Sequence, residues 1–294
     1  MSDNYSERLI IGTANFAGGY GLANSKKQFS NEQINEILSA AYLFGINRID
    51  TAMAYGDAES AIGRFESVSF NCITKVSLVD AEPGCFGSEL NSMVVNSLKR
   101  LGTNQIYGLL LHLPSQLFRS EGKEIYNGLL RLKSEDKVKK IGCSVYEIDE
   151  LEQIINNFDI DIVQLPLNIL DRRFDESGWI DELSSRGIEI HVRSVFLQGL
   201  LLMLPEKRPS WIRGHERALI EWHDYLQAVE GDPVEVCLKY VLKNRAISGV
   251  VVGVETVKQV ANLVEICCNE DIEINFSPSE VDKYLVDPRL WKKN

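Results

Sequence analysis

The stretch Gly45 to Gly63, GINRIDTAMAYGDAESAIG, decides the fold. Its first glycine stands where a preceding amphipathic run must stop, because glycine tolerates the left-handed backbone that a helix end requires. Ile46 to Ile49, interrupted by Arg48, is a short apolar run that suits a brief buried strand. Asp50 and Thr51 end that strand, and Tyr55-Gly56-Asp57 leads into a new helix-like run. An acid at a strand end and a tyrosine on the following loop place two ionisable groups at one rim.

The same unit repeats in both directions. Strand-like runs fall at Leu9 to Ile11, Arg48 to Thr51, Cys72 to Lys75, Tyr107 to Leu111, Lys140 to Ser144, Ile160 to Leu165, Ile188 to Val192 and Gly249 to Val252. Amphipathic runs separate them. Ser30 with Gln33 forms a capping-box pattern ahead of Ile34, Ile37, Leu38 and Ala41 at helical spacing. Further helices are expected near Asp57 and over Gly87 to Leu101, Glu124 to Lys133, Ile148 to Phe158, Glu176 to Arg186, Pro233 to Lys243 and Glu255 to Cys268, with extra helical material around Trp211 to Ala228. Eight strand–helix units in 294 residues predict an α/β fold, a (β/α)8 TIM barrel, spanning 1–294 as a single domain with no linker or low-complexity stretch. A doubly wound sheet is the alternative. It needs fewer strands and usually a glycine-rich phosphate loop, and Gly18-Gly19-Tyr20-Gly21 lacks the GxGxxG spacing and leads into Ser25-Lys26-Lys27.

Composition narrows the classes of function. A hydrophobic fraction of 45% and a charged fraction of 25% are those of a soluble globular protein. A formal net charge of −11 disfavours nucleic acid or anionic membrane as a partner. No run of about 18 apolar residues suggests a membrane span, and MSDNYSERLI is too polar for a signal peptide. The six cysteines, without CxxC spacing, read as reduced, buried thiols of a cytoplasmic protein. His191, His215 and His223 lack metal-ligand spacing and read as structural or surface residues, so no metal is expected.

In such a barrel the C-terminal strand ends form the active face. They carry Thr13, Asp50, Lys75, His112, Ser144, Gln164 and Arg193. Contact with solvent accounts for a lone Thr13 or Ser144. It accounts less well for a lysine, a histidine and an acid together, with Tyr55 on the adjoining loop. A phenol of pKa about 10 is a poor acid near neutrality. A lysine ammonium beside it favours the phenolate and lowers that pKa, and an aspartate holds the lysine charged. A neutral histidine can donate a hydrogen bond to a carbonyl oxygen. Together these groups describe proton delivery to an oxygen that becomes an alkoxide, as when hydride adds to a carbonyl.

Asp50, Tyr55, Lys75 and His112, within DTAMAYG, ITKV and LLLHLP, resemble the catalytic tetrad of the aldo-keto reductase superfamily. The likeness continues through KVKKIGCS (Lys137 to Ser144), IVQLPLN (Ile162 to Asn168) and VVGVETVKQVANL (Val251 to Leu263), so it covers almost the whole chain. It implies an NAD(P)H-dependent oxidoreductase that reduces an aldehyde or ketone, with the cofactor extended across the barrel mouth. Carried over by position, Tyr55 is the general acid, Lys75 tunes it, Asp50 pairs with Lys75 and His112 orients the carbonyl. Ser144 and Gln164 are implied to hold the nicotinamide carboxamide, with Thr13, Asp50 and Arg193 close by. Gly253, Lys258 and Asn262, on the turn and helix after the last strand, are implied to receive the adenosine phosphate.

The chain departs from the family pattern at several positions. Val145 follows Ser144 where Asn is frequent, and Arg193 stands where a tyrosine often stacks on nicotinamide. Arg193 can lie flat against a ring, bind a substrate anion or pair with a local acid. Val252 and Gly253 replace a basic residue and a serine, which leaves Lys258 as the retained cation and the basis for expecting NADPH, with NADH as the alternative. Leu113 replaces a frequent Trp, and Phe16, Tyr20, Leu113, Tyr146 and Phe196 are the expected substrate-pocket residues. GTANFAGGYGLAN and RSVFLQGLLL resemble a bacterial subgroup associated with sugar and surface-polysaccharide metabolism, so a sugar carbonyl is the expected small-molecule substrate. Two other classes compete: a nucleotide-binding regulatory subunit of the same type with little turnover, and a barrel lyase using Lys75 as a Schiff-base nucleophile. The tetrad argues against the first and the pairing of Lys75 with Asp50 against the second.

Overall fold

Strand pairing runs in sequence order and closes on itself. In the computed structural model, which describes residues 5–19, 21–22, 28–65, 68–79 and 84–291, eight parallel strands form a closed barrel. They are β1 (Leu9–Gly12), β2 (Arg48–Asp50), β3 (Asn71–Val76), β4 (Ile106–Leu111), β5 (Val138–Ser144), β6 (Ile162–Pro166), β7 (Glu189–Arg193) and β8 (Gly249–Gly253). Closure is made by β1 on β8, where Leu9 pairs with Val250 and Gly12 with Gly253.

Helices lie between the strands: α1 (Asn31–Leu43), α2 (Ala58–Gly63), α3 (Phe86–Leu101), α4 (Gly122–Ser134), α5 (Ile148–Asn157), α6 (Arg173–Glu176), α7 (Trp179–Ser185), α8 (Arg217–Ala228), α9 (Pro233–Leu242), α10 (Val257–Cys268) and α11 (Lys283–Val286). The capping box at Ser30 and Gln33 is formed, with each side chain bonded to the other residue's backbone N–H. Two expectations are corrected. The helix expected over Glu176 to Arg186 is two pieces, parted at Gly178, whose φ of +79° no helix interior accepts. The cysteines are free, but Cys85 and Cys268 are exposed while the other four are buried.

Two-residue alternation sorts the strand side chains. Leu9, Ile11, Leu109, Leu111, Val163, Leu165, Ile190 and Val192 belong to the main core with helix residues such as Leu90, Leu129, Ile154 and Leu263. Each such buried aliphatic contributes about 1.5–3 kcal/mol. Ile10, Ile73, Leu110 and Ile162 form a separate cluster that fills the barrel interior. Two residues beyond each of these, on the same inward face, stand Gly12, Lys75, His112 and Gln164. The apolar plug is therefore the floor on which the polar rim rests.

Interior packing leaves Gly142 of β5 no room for a side chain: a Cβ there falls 1.9 Å from the Ile162 carbonyl oxygen, which is backbone and cannot swing aside. A Cβ at Gly253 meets nothing within 4 Å. Gly142→Ala should lower unfolding stability by about 3 kcal/mol, as overpacking does. Gly253→Ala should leave the urea midpoint nearly unchanged.

Candidate active site

The centre of the rim is a buried ion pair. Lys75 is 2% exposed and Asp50 5%. The Lys75 ammonium donates to Asp50 Oδ1 at 2.5 Å, to Asp50 Oδ2 at 2.7 Å and to the Thr51 carbonyl at 3.0 Å. Its three hydrogens are thus all engaged. Gln164 Nε2 donates to Asp50 Oδ2 at 2.7 Å, completing the carboxylate's shell. Burial lowers the Lys75 pKa, and the attraction of Asp50 opposes that shift. A lysine so held is a poor nucleophile.

Backbone bonds deliver Tyr55 to this pair. Met53 N–H bonds the Lys75 carbonyl at 3.0 Å, and Tyr55 N–H closes a turn on the Ala52 carbonyl at 3.0 Å. The Lys75 Nζ lies 5.5 Å from the centroid of the Tyr55 ring. The His112 backbone is fixed by its N–H on the Val76 carbonyl, and its ring meets that of Tyr55 edge to face at 6.1 Å. Here the structure corrects the electrostatics expected from sequence. The Tyr55 pKa is pushed up, not down, first by burial and then by the Asp50 carboxylate, with Arg193 opposing. Burial, followed by the positive charges of Lys75 and Arg193, lowers the His112 pKa to about 4. The site therefore presents a protonated phenol beside a neutral imidazole.

One cavity opens above these groups. Thr13, Asp50, Tyr55, Gln164, Arg193, Gly253, Asn262 and Phe196 line it, as expected from sequence; Lys75, His112 and Ser144 are not among its lining residues. Thr13 donates from Oγ1 to the Asp50 carbonyl at 3.1 Å, and the Ser144 hydroxyl faces Arg193 Nε at 3.4 Å. Gln164 Oε1 is buried with no hydrogen-bond partner. A carboxamide N–H donor, as on a nicotinamide, suits that acceptor.

The substrate-pocket residues scatter. Phe16 is buried against Phe29 at 5.7 Å and does not reach the cavity. Leu113 is exposed outside the lining. Tyr20 lies outside the described residues. Tyr146 is clasped between the guanidinium groups of Arg193 and Arg289, at 3.9 and 4.0 Å from its ring centroid. Lys258 is exposed and also stands outside the lining. Lining residues that were not among the expected site residues are Asn15, Gln198, Glu255 and Gln259. Asn15 donates to the Val254 carbonyl at 2.9 Å, binding the first loop to the last, while its Oδ1 has no partner. Its place two residues past Thr13, in TAN, was the available signal.

The cavity wall after β7 is strained. Ser194, Leu197 and Gln198 have φ of 62°, 48° and 53°, values that only glycine adopts freely. Such backbone costs of the order of 1 kcal/mol or more per residue and concentrates at binding sites. It is held by Leu22 N–H on the Gln198 carbonyl and by Trp222 Nε1 on the Leu201 carbonyl.

Comparison with known proteins bears on the family and the fold. A sequence model described as the Aldo/keto reductase family matches residues 8–282. The chain is 30% identical over 191 residues to the NADH-specific methylglyoxal reductase of Escherichia coli (strain K12), covering 57% of this chain and 57% of that protein. It is 23% identical over 301 residues to the L-glyceraldehyde 3-phosphate reductase of Escherichia coli O157:H7, covering 88% and 85%. The holo form of an aldo-keto reductase from Bacillus halodurans superposes with a TM-score of 0.75 at 20% identity over 95% of both chains. An aldo-keto reductase from Klebsiella pneumoniae in complex with NADPH gives 0.65 at 16% identity over 88% and 85%. At these identities the structural likeness establishes the fold.

A neutral His112 is directly observable. By NMR its ring should titrate with a midpoint of about 4 instead of near 6.5. Since the shift is downward, the unfolded chain takes up the proton first, and this residue costs stability as pH falls below the unfolded value. A midpoint near 6.5 contradicts the arrangement.

Proposed function

The chain belongs to the aldo/keto reductase family, and on that premise we propose that it reduces a small polar aldehyde or ketone, such as a sugar carbonyl, with a nicotinamide cofactor. Relatives named for reduction of methylglyoxal and L-glyceraldehyde 3-phosphate support carbonyl reduction as the reaction class. The observation that carries the proposal is the protonated Tyr55 beside neutral His112 over the buried Asp50–Lys75 pair.

When bound, the reduced nicotinamide supplies a hydride to the carbonyl carbon. Tyr55 gives its proton to the carbonyl oxygen, and burial keeps that proton in place until the oxygen becomes basic. Neutral His112 donates a hydrogen bond to the same oxygen and so fixes its position. Asp50 and Lys75 hold the tyrosine loop through the Lys75 carbonyl and keep Gln164 turned, so that its free Oε1 takes the carboxamide.

The residues that would hold the adenosine half of the cofactor are Gly253, Glu255, Gln259 and Asn262, at the end of β8 and the start of α10. No lysine or arginine lines that end among the described residues, and Glu255 does. A carboxylate there suits a ribose 2′-hydroxyl and repels a 2′-phosphate. This supports NADH as the tighter cofactor, in place of the NADPH expected from Lys258, which stands outside the cavity.

Two measurements test the proposal. Tyr55→Phe should reduce kcat by about 100-fold or more while leaving the cofactor Kd nearly intact by calorimetry; sustained turnover removes Tyr55 from the acid role. In titrations of the wild-type protein, NADH should bind at least about tenfold tighter than NADPH. Glu255→Gln should narrow that gap and Lys258→Ala should not change it. Tighter NADPH, weakened selectively by Lys258→Ala, restores the other assignment.

A further inference from the structure

Arg193 is the one lysine or arginine among the described residues lining the cavity. It is half-buried, and its hydrogen-bond partners are all neutral: Ser144 Oγ at 3.4 Å, Ser194 Oγ at 3.4 Å and the Val145 carbonyl at 3.0 Å. No described carboxylate pairs with it. The contrast with nearby cations is direct, since Lys75 has Asp50 and Arg289 has Asp287 and Glu147. A half-buried charge answered only by neutral oxygens is poorly compensated.

The guanidinium is also fixed in orientation. Tyr146 covers one face, and Arg289 backs that ring from the other side. Arg289 is in turn anchored by Asp287 at 2.6 Å and Glu147 at 2.6 Å. Three of the five guanidinium N–H groups are engaged, one on each nitrogen, which leaves one on each Nη. Such donors match the oxygens of a carboxylate or phosphate. The strained backbone of Ser194, directly after Arg193, keeps this group at the cavity wall. The positive charge of Arg193 is felt at Tyr55 and at His112, so it stands within electrostatic reach of the reacting groups.

Resting on the carbonyl-reductase reading above, we infer that the preferred substrate carries its own negative charge, a phosphate or carboxylate on the carbonyl compound, and that Arg193 binds it. The chain's net charge of −11 does not steer anions inward. Discrimination therefore comes from the local contact and shows in KM.

The test compares anionic and neutral carbonyl compounds on the holoenzyme. The pairs are glyceraldehyde 3-phosphate against glyceraldehyde and glyoxylate against methylglyoxal, with kcat and KM measured for wild type, Arg193→Gln and Arg193→Lys. Cofactor Kd and melting temperature are followed in parallel. The wild type should favour the anionic member in kcat/KM by at least about tenfold. Arg193→Gln should erase that preference through a higher KM for the anionic member, and Arg193→Lys should restore part of it. A wild type without preference overturns the inference. So does an equal loss for both members with weakened cofactor binding, which assigns Arg193 to the nicotinamide ring. Absence of both cofactor binding and reduction of all four compounds fails the reductase reading itself, and this inference with it.

Discussion

The rim depends on one buried ion pair. An ammonium and a carboxylate taken out of water are tolerated only when each satisfies the other and the remaining lone pairs and protons find partners. Lys75 and Asp50 meet that condition with Thr51 and Gln164. The pair then acts on its surroundings through fixed charge. The Asp50 carboxylate helps to keep the proton on Tyr55, and the Lys75 ammonium helps to keep one off His112. Neither effect requires Lys75 to touch the phenol. Removing either partner would leave an uncompensated charge in a nearly water-free layer, so the pair is structural and electrostatic at once.

The strand period is the reason that polar groups converge there. Inward positions two residues above the Ile10, Ile73, Leu110 and Ile162 plug lie at or within two residues of each strand's end. They face the barrel axis while the main core lies on the other side of the sheet. Polar residues can collect at that level without disturbing the packing of helices on strands. The apolar floor meanwhile shuts off water from below, which sharpens every charge above it.

Much of this was legible in the chain itself. Eight strands, their order and the capping box of α1 follow from local pattern, because apolar period and turn chemistry act over a few residues. Asp50, Lys75 and His112 stood out in the chain because each sits at or just past a strand end, and Tyr55 because it follows Asp50 on the next loop. Side-chain direction within loops was not. Phe16 and Leu113 share the first and fourth loops with cavity or rim residues, yet one turns into the core and the other into solvent. Glu255 and Lys258 lie three residues apart, and only the cap at Thr256 and the first turn of α10 decide which faces the cavity. The sign of the Tyr55 shift was hidden for a related reason. It depends on burial and on the distance to the Asp50 carboxylate, neither of which spacing encodes.

The closure of β1 on β8 bears on how the molecule is made. Its pairs join residues 9–12 to residues 250–253, nearly the full length of the chain. During synthesis the first strand must wait, one edge unpaired, until the ribosome has released about the last strand–helix unit. Contacts of such sequence separation form slowly, and exposed strand edges in the interval invite wrong partners. The cavity is lined from β1, β2, β6, β7 and β8, so it is incomplete in any fragment that lacks β8. A partly made chain therefore has no complete cavity, and its unpaired strand edges leave it prone to aggregation.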